Sequence, residues 1–386
     1  MNKTIVDLTT GQQTTVDLTA EEIAEIRQFF NRKKFFILGH ARSGTTLLAR
    51  LVRLHPAIHC NWQAHFFTRE PFLKSLVDTP EAAEWLTRKS NRWNHGRDLS
   101  PVILRASADF ILERDAAQAG KQIVGDKSPS SLIHGQAVRD MSAIYPDASL
   151  IYIVRDGRDV LISERFRNFV EDSKFLTTED RKIISGLQVD QKPFTNGTRS
   201  IFTENFIRRA AAGWVENLQE TEAEARRLYG DQYFSLRYED LLSTPFTEMQ
   251  KLWGFLGVES AADLQTAVMA ELSSNPDEEW QAKRNDSIAS FLPKGKAGNW
   301  RNMFTLQDQK IFKEVAGDIA RAPRDDPLHE RHDEQTEGRS HHAREHPGAD
   351  REPCDGVGME YGGSHPAVPA ATSHSRNHQR HELRVV

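Results

Sequence analysis

Short apolar segments separated by helical spacing run through most of the chain. "KKFFILG" (33–39) contains an apolar run that ends at a glycine, as is typical of a strand buried in a parallel sheet. Further strands are predicted at 121–127, 148–156 and 232–241. Strands that alternate with helices favour an α/β fold in which helices cover both faces of a central parallel sheet.

Helices are predicted from apolar spacing together with start and stop signals. Thr19 and Glu22 have the spacing of a capping box before a helical pattern. Residues 203–230 predict a long helix that ends at a glycine, and residues 68–118 are expected to be mostly helical.

The composition changes sharply near residue 321. The 386-residue chain has 15 histidines, and nine of them lie in 321–386, where there is no lysine. This segment has too few apolar residues to bury a core, so we expect it to be a disordered tail. The predicted organisation is an N-terminal extension with a capping helix (1–30), a main domain (31–320) and the tail.

Charge, cysteines and hydropathy restrict the class of protein. The net charge of −5 does not favour nucleic acid as the main partner. Two cysteines do not make a disulfide framework, which fits a reducing compartment. The N-terminus is polar, and no apolar run approaches the length of a membrane span. We expect a cytoplasmic protein without a membrane span, and the sequence leaves its oligomeric state open.

"GHARSGTT" (39–46) lies between the first predicted strand and a predicted helix. Gly39 and Gly44 have the spacing of a P-loop, but Thr45 occupies the position of the P-loop lysine, and Arg42 precedes the second glycine. A glycine-bounded loop that leads into a helix N-terminus favours an anion-binding site. The missing lysine argues against the triphosphate of ATP as that anion.

Three later stretches complete a pattern with this loop. "IVRDGRDVLISERF" contains Arg155 and Ser163, "LRYEDL" contains Tyr238, and "LPKGKAGNWRNMFT" contains Lys294 and Gly295. In this order the four stretches resemble the sulfotransferases that use 3′-phosphoadenosine 5′-phosphosulfate (PAPS), and the resemblance extends from about residue 33 to about residue 305. It implies a P-loop NTPase-like, three-layer α/β/α fold with a central parallel sheet.

The resemblance also implies roles for individual residues. PAPS would be the co-substrate, and no metal ion would be needed. Arg155 and Ser163 would bind the 3′-phosphate, which ATP lacks, and Tyr238 would contact the adenine. Lys294 and Gly295 would belong to a loop over the same phosphate. The 5′-phosphate would be held by the loop residues Arg42, Ser43, Gly44, Thr45 and Thr46, with Arg42 near the bridging oxygen.

The catalytic groups follow the family only in part. Lys127, in "GDKSPSS", resembles the catalytic lysine of carbohydrate and tyrosyl-protein sulfotransferases. These relatives have a glutamate as general base where this chain has Gln63, which cannot accept the proton. His65 is our candidate for the base, with His59 as a weaker one, because neutral imidazole suits proton abstraction near pH 7. A histidine beside two phenylalanines could equally be a packed core residue.

Two other functions remain open at the level of sequence. One is a P-loop kinase or NTPase, which Thr45 in the lysine position disfavours. The other is a module that binds adenosine 3′,5′-bisphosphate (PAP) without turnover, which Gln63 favours. The acceptor is expected to be a hydroxyl (or amine) on a carbohydrate, protein or small molecule, and no motif identifies it.

Overall fold

The computed structural model describes residues 17–69, 73–90, 92, 94–131, 135–171, 176–260, 262–274 and 296–317. The chain divides into two compact units, 1–324 and 325–386, and every described residue belongs to the first. The predicted tail at 321–386 lies outside the described residues, as do Lys294 and Gly295.

The centre of the described structure is a parallel sheet with the order β2-β3-β1-β4-β5. The four predicted strands are present, and the structure adds a strand, β2, that the pattern did not predict. The strands are β1 (Lys33–Leu38), β2 (Ile58–Trp62), β3 (Ile123–Lys127), β4 (Ser149–Val154) and β5 (Tyr233–Arg237).

The two sides of the sheet pack against different sets of helices. On β1, Phe35 and Ile37 point into one buried cluster, whereas Phe36 and Leu38 point into another. Successive side chains of a strand point to opposite faces, so β1 supplies both cores. This confirms a three-layer α/β/α fold with a central parallel sheet.

The helices agree with the predicted pattern and add detail to it. The capping box is formed, because the Glu22 amide donates to Thr19 Oγ1 (3.2 Å) and the Thr19 amide donates to Glu22 Oε2 (3.0 Å). The long helix ends before Gly230, as expected. The helices are α1 (Ala20–Arg27), α2 (Thr45–Val52), α3 (Pro80–Thr87), α4 (Ser100–Gln118), α5 (Gly135–Ile144), α6 (Gly157–Glu171), α7 (Thr178–Val189), α8 (Lys192–Thr195), α9 (Glu204–Tyr229), α10 (Tyr238–Ser243), α11 (Pro245–Leu256), α12 (Leu264–Ser273), α13 (Trp300–Met303) and α14 (Leu306–Ala316).

Buried charges at the amino end of β1 are paired with one another. Lys34 Nζ lies 2.7 Å from Glu113 Oε1 and 3.4 Å from Asp109 Oδ1. Asp109 also accepts from Arg105 (2.8 Å) and from the Tyr145 hydroxyl (2.9 Å). Because these groups satisfy each other, this cluster joins α4 to the sheet and leaves no obvious vacancy for a ligand.

Candidate functional site

The predicted site residues converge at the carboxyl edge of the sheet. Gly39 follows β1, Gln63 follows β2, Lys127 ends β3, Arg155 follows β4, and Tyr238 follows β5. β1 and β4 are neighbours, and the helices that follow them, α2 and α6, pack into different buried clusters. Ligands of open α/β sheets bind in the crevice at such a reversal of strand order.

The loop between β1 and α2 is shaped for close approach of an anion. Gly44 precedes the first turn of α2 with φ of 94°, and a Cβ placed there would lie 2.3 Å from the Tyr238 ring. Among the described residues, the buried Ser43 Oγ has no hydrogen-bond partner. The amide groups of the first turn of α2 lack carbonyl partners within the helix, so the loop has donors to offer an anion.

Arg155 joins this loop to a second segment of the chain. Its Nη1 donates to the Arg42 carbonyl (3.0 Å) and its Nη2 donates to the Lys296 carbonyl (3.2 Å). The guanidinium lies 4.7 Å from the centroid of the Tyr238 ring. Its Nε is buried without a hydrogen-bond partner among the described residues. Such an unsatisfied charged donor indicates a site for an anionic ligand.

Arg42 and Ser163, which were assigned to different phosphates, are in direct contact. Arg42 Nε donates to Ser163 Oγ over 3.0 Å. Arg42 has φ of 73°, in the left-handed region that an arginine rarely adopts. The residue beside Ser163, Glu164, has a carboxyl whose pKa is raised by burial, an effect that Arg42 and two other arginines oppose.

Lys127 is buried beside the loop and is not a surface residue. Its Nζ donates to Thr46 Oγ1 (3.3 Å) and lies 4.2 Å from the centroid of the Trp62 ring. Burial lowers the pKa of Lys127 to about 8. Trp62 itself is 47% exposed, so one aromatic side chain links the buried ammonium to the surface.

The segment that contains Gln63 and His65 runs beside the end of β3. Trp62 pairs with Lys127 across the parallel strands, and the Gln63 amide donates to the Lys127 carbonyl (2.9 Å). The His65 amide donates to Ser128 Oγ (2.9 Å). Gln63 and His65 have φ of 59° and 54°. Backbone held in this sparsely populated region is often found at functional sites.

The His65 side chain has one nitrogen engaged and one without a partner. Nδ1 lies 2.7 Å from Thr68 Oγ1, and the buried Nε2 has no hydrogen-bond partner among the described residues. The ring is 8% exposed. Burial, together with Arg69 and Lys127, lowers the pKa of His65 to about 4, so the ring is neutral at pH 7. His59 is the second residue of β2, away from the carboxyl edge.

Comparison with known proteins shows to which family this chain belongs. A sequence model described as "Sulfotransferase family" matches residues 34–263, which is more than half of the chain. The chain belongs to the sulfotransferase family.

The curated proteins that are similar to this chain include several sulfotransferases. The chain is 24% identical to mouse sulfotransferase 1 family member D1 over 44% of its length and 53% of that protein. It is 28% identical to mouse sulfotransferase 1A1 over 42% of its length and 52% of that protein. The Drosophila melanogaster protein-tyrosine sulfotransferase is 26% identical over 59% of this chain and 39% of that protein. The chain thus spans about half the length, or less, of these curated relatives.

Solved structures are also similar to this sulfotransferase chain. A mouse sulfotransferase complexed with PAP has a TM-score of 0.41 at 15% identity, covering 83% of this chain and 94% of that one. A retinol dehydratase in complex with retinol and PAP has a TM-score of 0.43 at 16% identity, covering 80% and 88%.

Several residues of the candidate site were not predicted from sequence. Asp126 and Ser128 flank Lys127 and hold the backbone of 64–65 through their side chains. Burial raises the pKa of the Asp126 carboxyl, and Asp126 accepts a short hydrogen bond from Ser128. Asp159 lies within "RDGRD" but contacts a distant segment. The sequence could have indicated these residues only by their positions inside or beside the recognised motifs.

Two features are absent from the described part of the chain. No group of three or more histidine, cysteine, aspartate or glutamate side chains there is arranged to hold a metal ion. Within the same residues, no helix has both the length and the apolar character needed to cross a bilayer.

Proposed function

We propose that this chain is a PAPS-dependent sulfotransferase that transfers a sulfuryl group to a hydroxyl or amine acceptor. The observation that carries the proposal is the bridge made by Arg155. This residue extends from the Arg42 loop to the 296–300 segment and keeps one buried donor without a partner. Family membership supports the same function, and so does the order of the four motifs along the sequence.

The residues present fit a nucleotide with two separate phosphate groups. The loop and first turn of α2 suit the 5′-phosphate, because Ser43 Oγ is a buried polar atom without a partner and Gly44 leaves the backbone open. Arg155 and Ser163 suit the 3′-phosphate, since a guanidinium and a hydroxyl make strong bonds to phosphate oxygens. Tyr238 remains our candidate for adenine contact, although part of its ring is covered by Gly44 and Arg155. The 5′ group comprises Arg42, Ser43, Gly44, Thr45 and Thr46.

The proposed reaction moves one sulfuryl group and one proton. The bond between sulfur and the bridging oxygen breaks while a bond from sulfur to the acceptor oxygen forms. The bridging oxygen keeps the electron pair and leaves as part of PAP, and the acceptor proton passes to a base. Such transfers depend mainly on positioning and on stabilisation of the leaving oxygen.

We assign the positive charge at the leaving oxygen to Lys127 together with Arg42. Lys127 reaches Thr46 of the phosphate loop, and its burial strengthens any electrostatic interaction that it makes. We assign the base to His65. This role requires the tautomer in which His65 Nδ1–H donates to Thr68 Oγ1, because Nε2 then keeps its lone pair.

A module that binds PAP without turnover is the second candidate. The pKa of His65, about 4, makes it a weak base, and Gln63 takes the place of the family glutamate. A P-loop kinase is less compatible with the site, because Thr45 replaces the lysine that reaches the terminal phosphates of a nucleotide.

The function is tested by sulfate transfer from radiolabelled PAPS to pooled carbohydrates, tyrosine peptides and phenols. The proposal predicts label in at least one pool, with loss of the label in Arg155→Ala. PAP binding without transfer to any pool would favour the non-catalytic module.

We further propose that 31–320 is the catalytic domain, that 1–30 and 321–386 flank it, and that the protein is cytoplasmic.

A further inference from the structure

Residues 296–300 are fastened to the N-terminus of α6 by one buried carboxylate. Asp159 Oδ2 accepts from the Gly298 amide (2.6 Å), and Asp159 Oδ1 accepts from the Trp300 amide (3.1 Å). The residue is 2% exposed. Burying a carboxylate is costly unless hydrogen bonds compensate it, and these two amides provide such bonds.

This use of Asp159 differs from the ordinary role of an acidic residue in a first helical turn. Such a residue normally faces solvent and interacts with the amide groups of its own helix. Asp156 has that role here, because its Oδ1 accepts from the Arg158 amide (2.9 Å). Asp159 instead holds a segment about 140 positions later in the sequence.

The fastened segment has further features that fix its path. The Arg158 guanidinium lies 3.4 Å from the centroid of the Trp300 ring, which is a close cation–π contact. Gly298 has φ of 84°, and a Cβ there would lie 2.2 Å from Arg301 Nη1. The segment therefore has a defined conformation against α6.

The consequence reaches Arg155 through the Lys296 carbonyl. Arg155 Nη2 donates to that oxygen (3.2 Å), two residues before the amide that Asp159 holds. The other end of the guanidinium is fixed by the Arg42 carbonyl. If the segment were displaced, Arg155 would lose one of these two hydrogen bonds, and its guanidinium would be free to rotate.

We propose that Asp159 is a positioning residue for 3′-phosphate recognition, acting through the 296–300 segment on Arg155. The proposal rests on the proposed function, since it assigns Arg155 to the 3′-phosphate. The positioning role and a purely electrostatic role of Asp159 predict opposite effects on PAP binding when its charge is removed. If Asp159 acted only through its charge, neutralising it would strengthen the binding of an anionic nucleotide. Positioning requires that neutralising it weakens the binding of PAP.

The test compares Asp159→Asn with wild type for binding of PAP and of ADP, which lacks the 3′-phosphate, by titration calorimetry. An asparagine keeps the shape but can accept from only one of the two amides. We expect PAP affinity to fall about tenfold and ADP affinity to change much less, because the lost interaction involves a charged donor. In turnover, KM for PAPS should rise more than kcat falls.

Asp308→Asn is the matched control. Asp308 is also a buried carboxylate that accepts from a backbone amide, that of Thr305 (2.9 Å), but it serves the capping box of α14. This variant should keep the ratio of PAP to ADP affinity. Unchanged or tighter PAP binding in Asp159→Asn would overturn the positioning role.

Hydrogen exchange keeps the proposal testable if Asp159→Asn does not fold. In ligand-free wild type, the amides of Gly298 and Trp300 should be protected, and rapid exchange of both would overturn the proposal. Failure of this proposal can be distinguished from failure of the proposed function. If the proposed function is wrong, wild type should show no preference for PAP over ADP, whatever Asp159→Asn does.

Discussion

At the scale of single residues, the charge of one basic group at the site should depend on pH. The Lys127 ammonium is buried, and its pKa is lowered to about 8. If Lys127 stabilises the leaving oxygen, its loss of a proton should therefore be visible in the pH dependence of the rate.

Replacement of Lys127 by arginine tests this point. A group with a lowered pKa is protonated below about pH 8 and neutral above it, so kcat/KM of wild type should fall as the pH rises through 8. In Lys127→Arg the decline should move to higher pH, even if the maximal rate is lower. Lys121→Arg, at a half-buried lysine just before β3, should keep the wild-type profile. A decline near pH 8 that persists in Lys127→Arg would show that another group causes it.

The assignment of the base is tested at His65. His65→Ala should lower kcat by about 10²–10⁴-fold, the usual contribution of a positioned base, and leave PAP affinity nearly unchanged. His59→Ala, which changes the second residue of β2, should have no comparable effect on kcat. If His65→Ala is fully active, the base lies elsewhere.

Gln63→Glu complements this experiment. It introduces the carboxylate that the family resemblance implies at this position, next to the Lys127 carbonyl. Rescue of His65→Ala by Gln63→Glu would place the acceptor hydroxyl beside residues 63–65. In wild type, no acidic decline from His65 is expected between pH 5 and 7, because its pKa is about 4.

At the scale of elements, the phosphate loop depends on one glycine that leads into α2. Gly44 combines a φ of 94° with contact against the Tyr238 ring. Gly44→Ala should lower both the melting temperature and the PAP affinity, since the left-handed conformation alone costs about 1–2 kcal/mol for a residue with a Cβ. The measurement is thermal unfolding with and without PAP.

Gly213→Ala is the control for this substitution. Gly213 lies in α9, and a Cβ there would meet no atom within 4 Å. Alanine should raise the melting temperature, because it is favoured over glycine in a helix interior by about 1 kcal/mol. Equal effects of the two substitutions would show that the conformation of Gly44 is not critical.

Most elements could be predicted from the sequence, and β2 shows why one could not. β1 and β4 are apolar because both of their faces are buried. β2 is an edge strand of five residues with His59 and Asn61 among them, so its pattern is weak. Asn61 is nevertheless satisfied, since its side-chain amide donates to the carbonyls of Leu112 (3.0 Å) and Gly125 (3.2 Å). Those partners come from distant parts of the chain and have no local signature.

At the scale of the whole molecule, the convergence of the motifs could be predicted from the sequence better than the contacts between them. The motifs follow strand ends, and parallel strands bring their carboxyl ends to one edge of the sheet, so their convergence could be expected. The contacts of Asp159 with Gly298 and Trp300, and of Arg42 with Ser163, connect segments more than 100 positions apart. They depend on the three-dimensional path of the chain, which local patterns do not specify.

The proposed function requires that the candidate site recognises a nucleotide by its 3′-phosphate. The most direct measurement is calorimetric titration of wild type and Arg155→Ala with PAP and with ADP. We expect wild type to bind PAP at least about tenfold more tightly than ADP, because Arg155 and Ser163 are proposed to bind a phosphate that ADP lacks. Arg155→Ala should lose most of that difference. Equal affinity of wild type for the two nucleotides would contradict recognition of the 3′-phosphate.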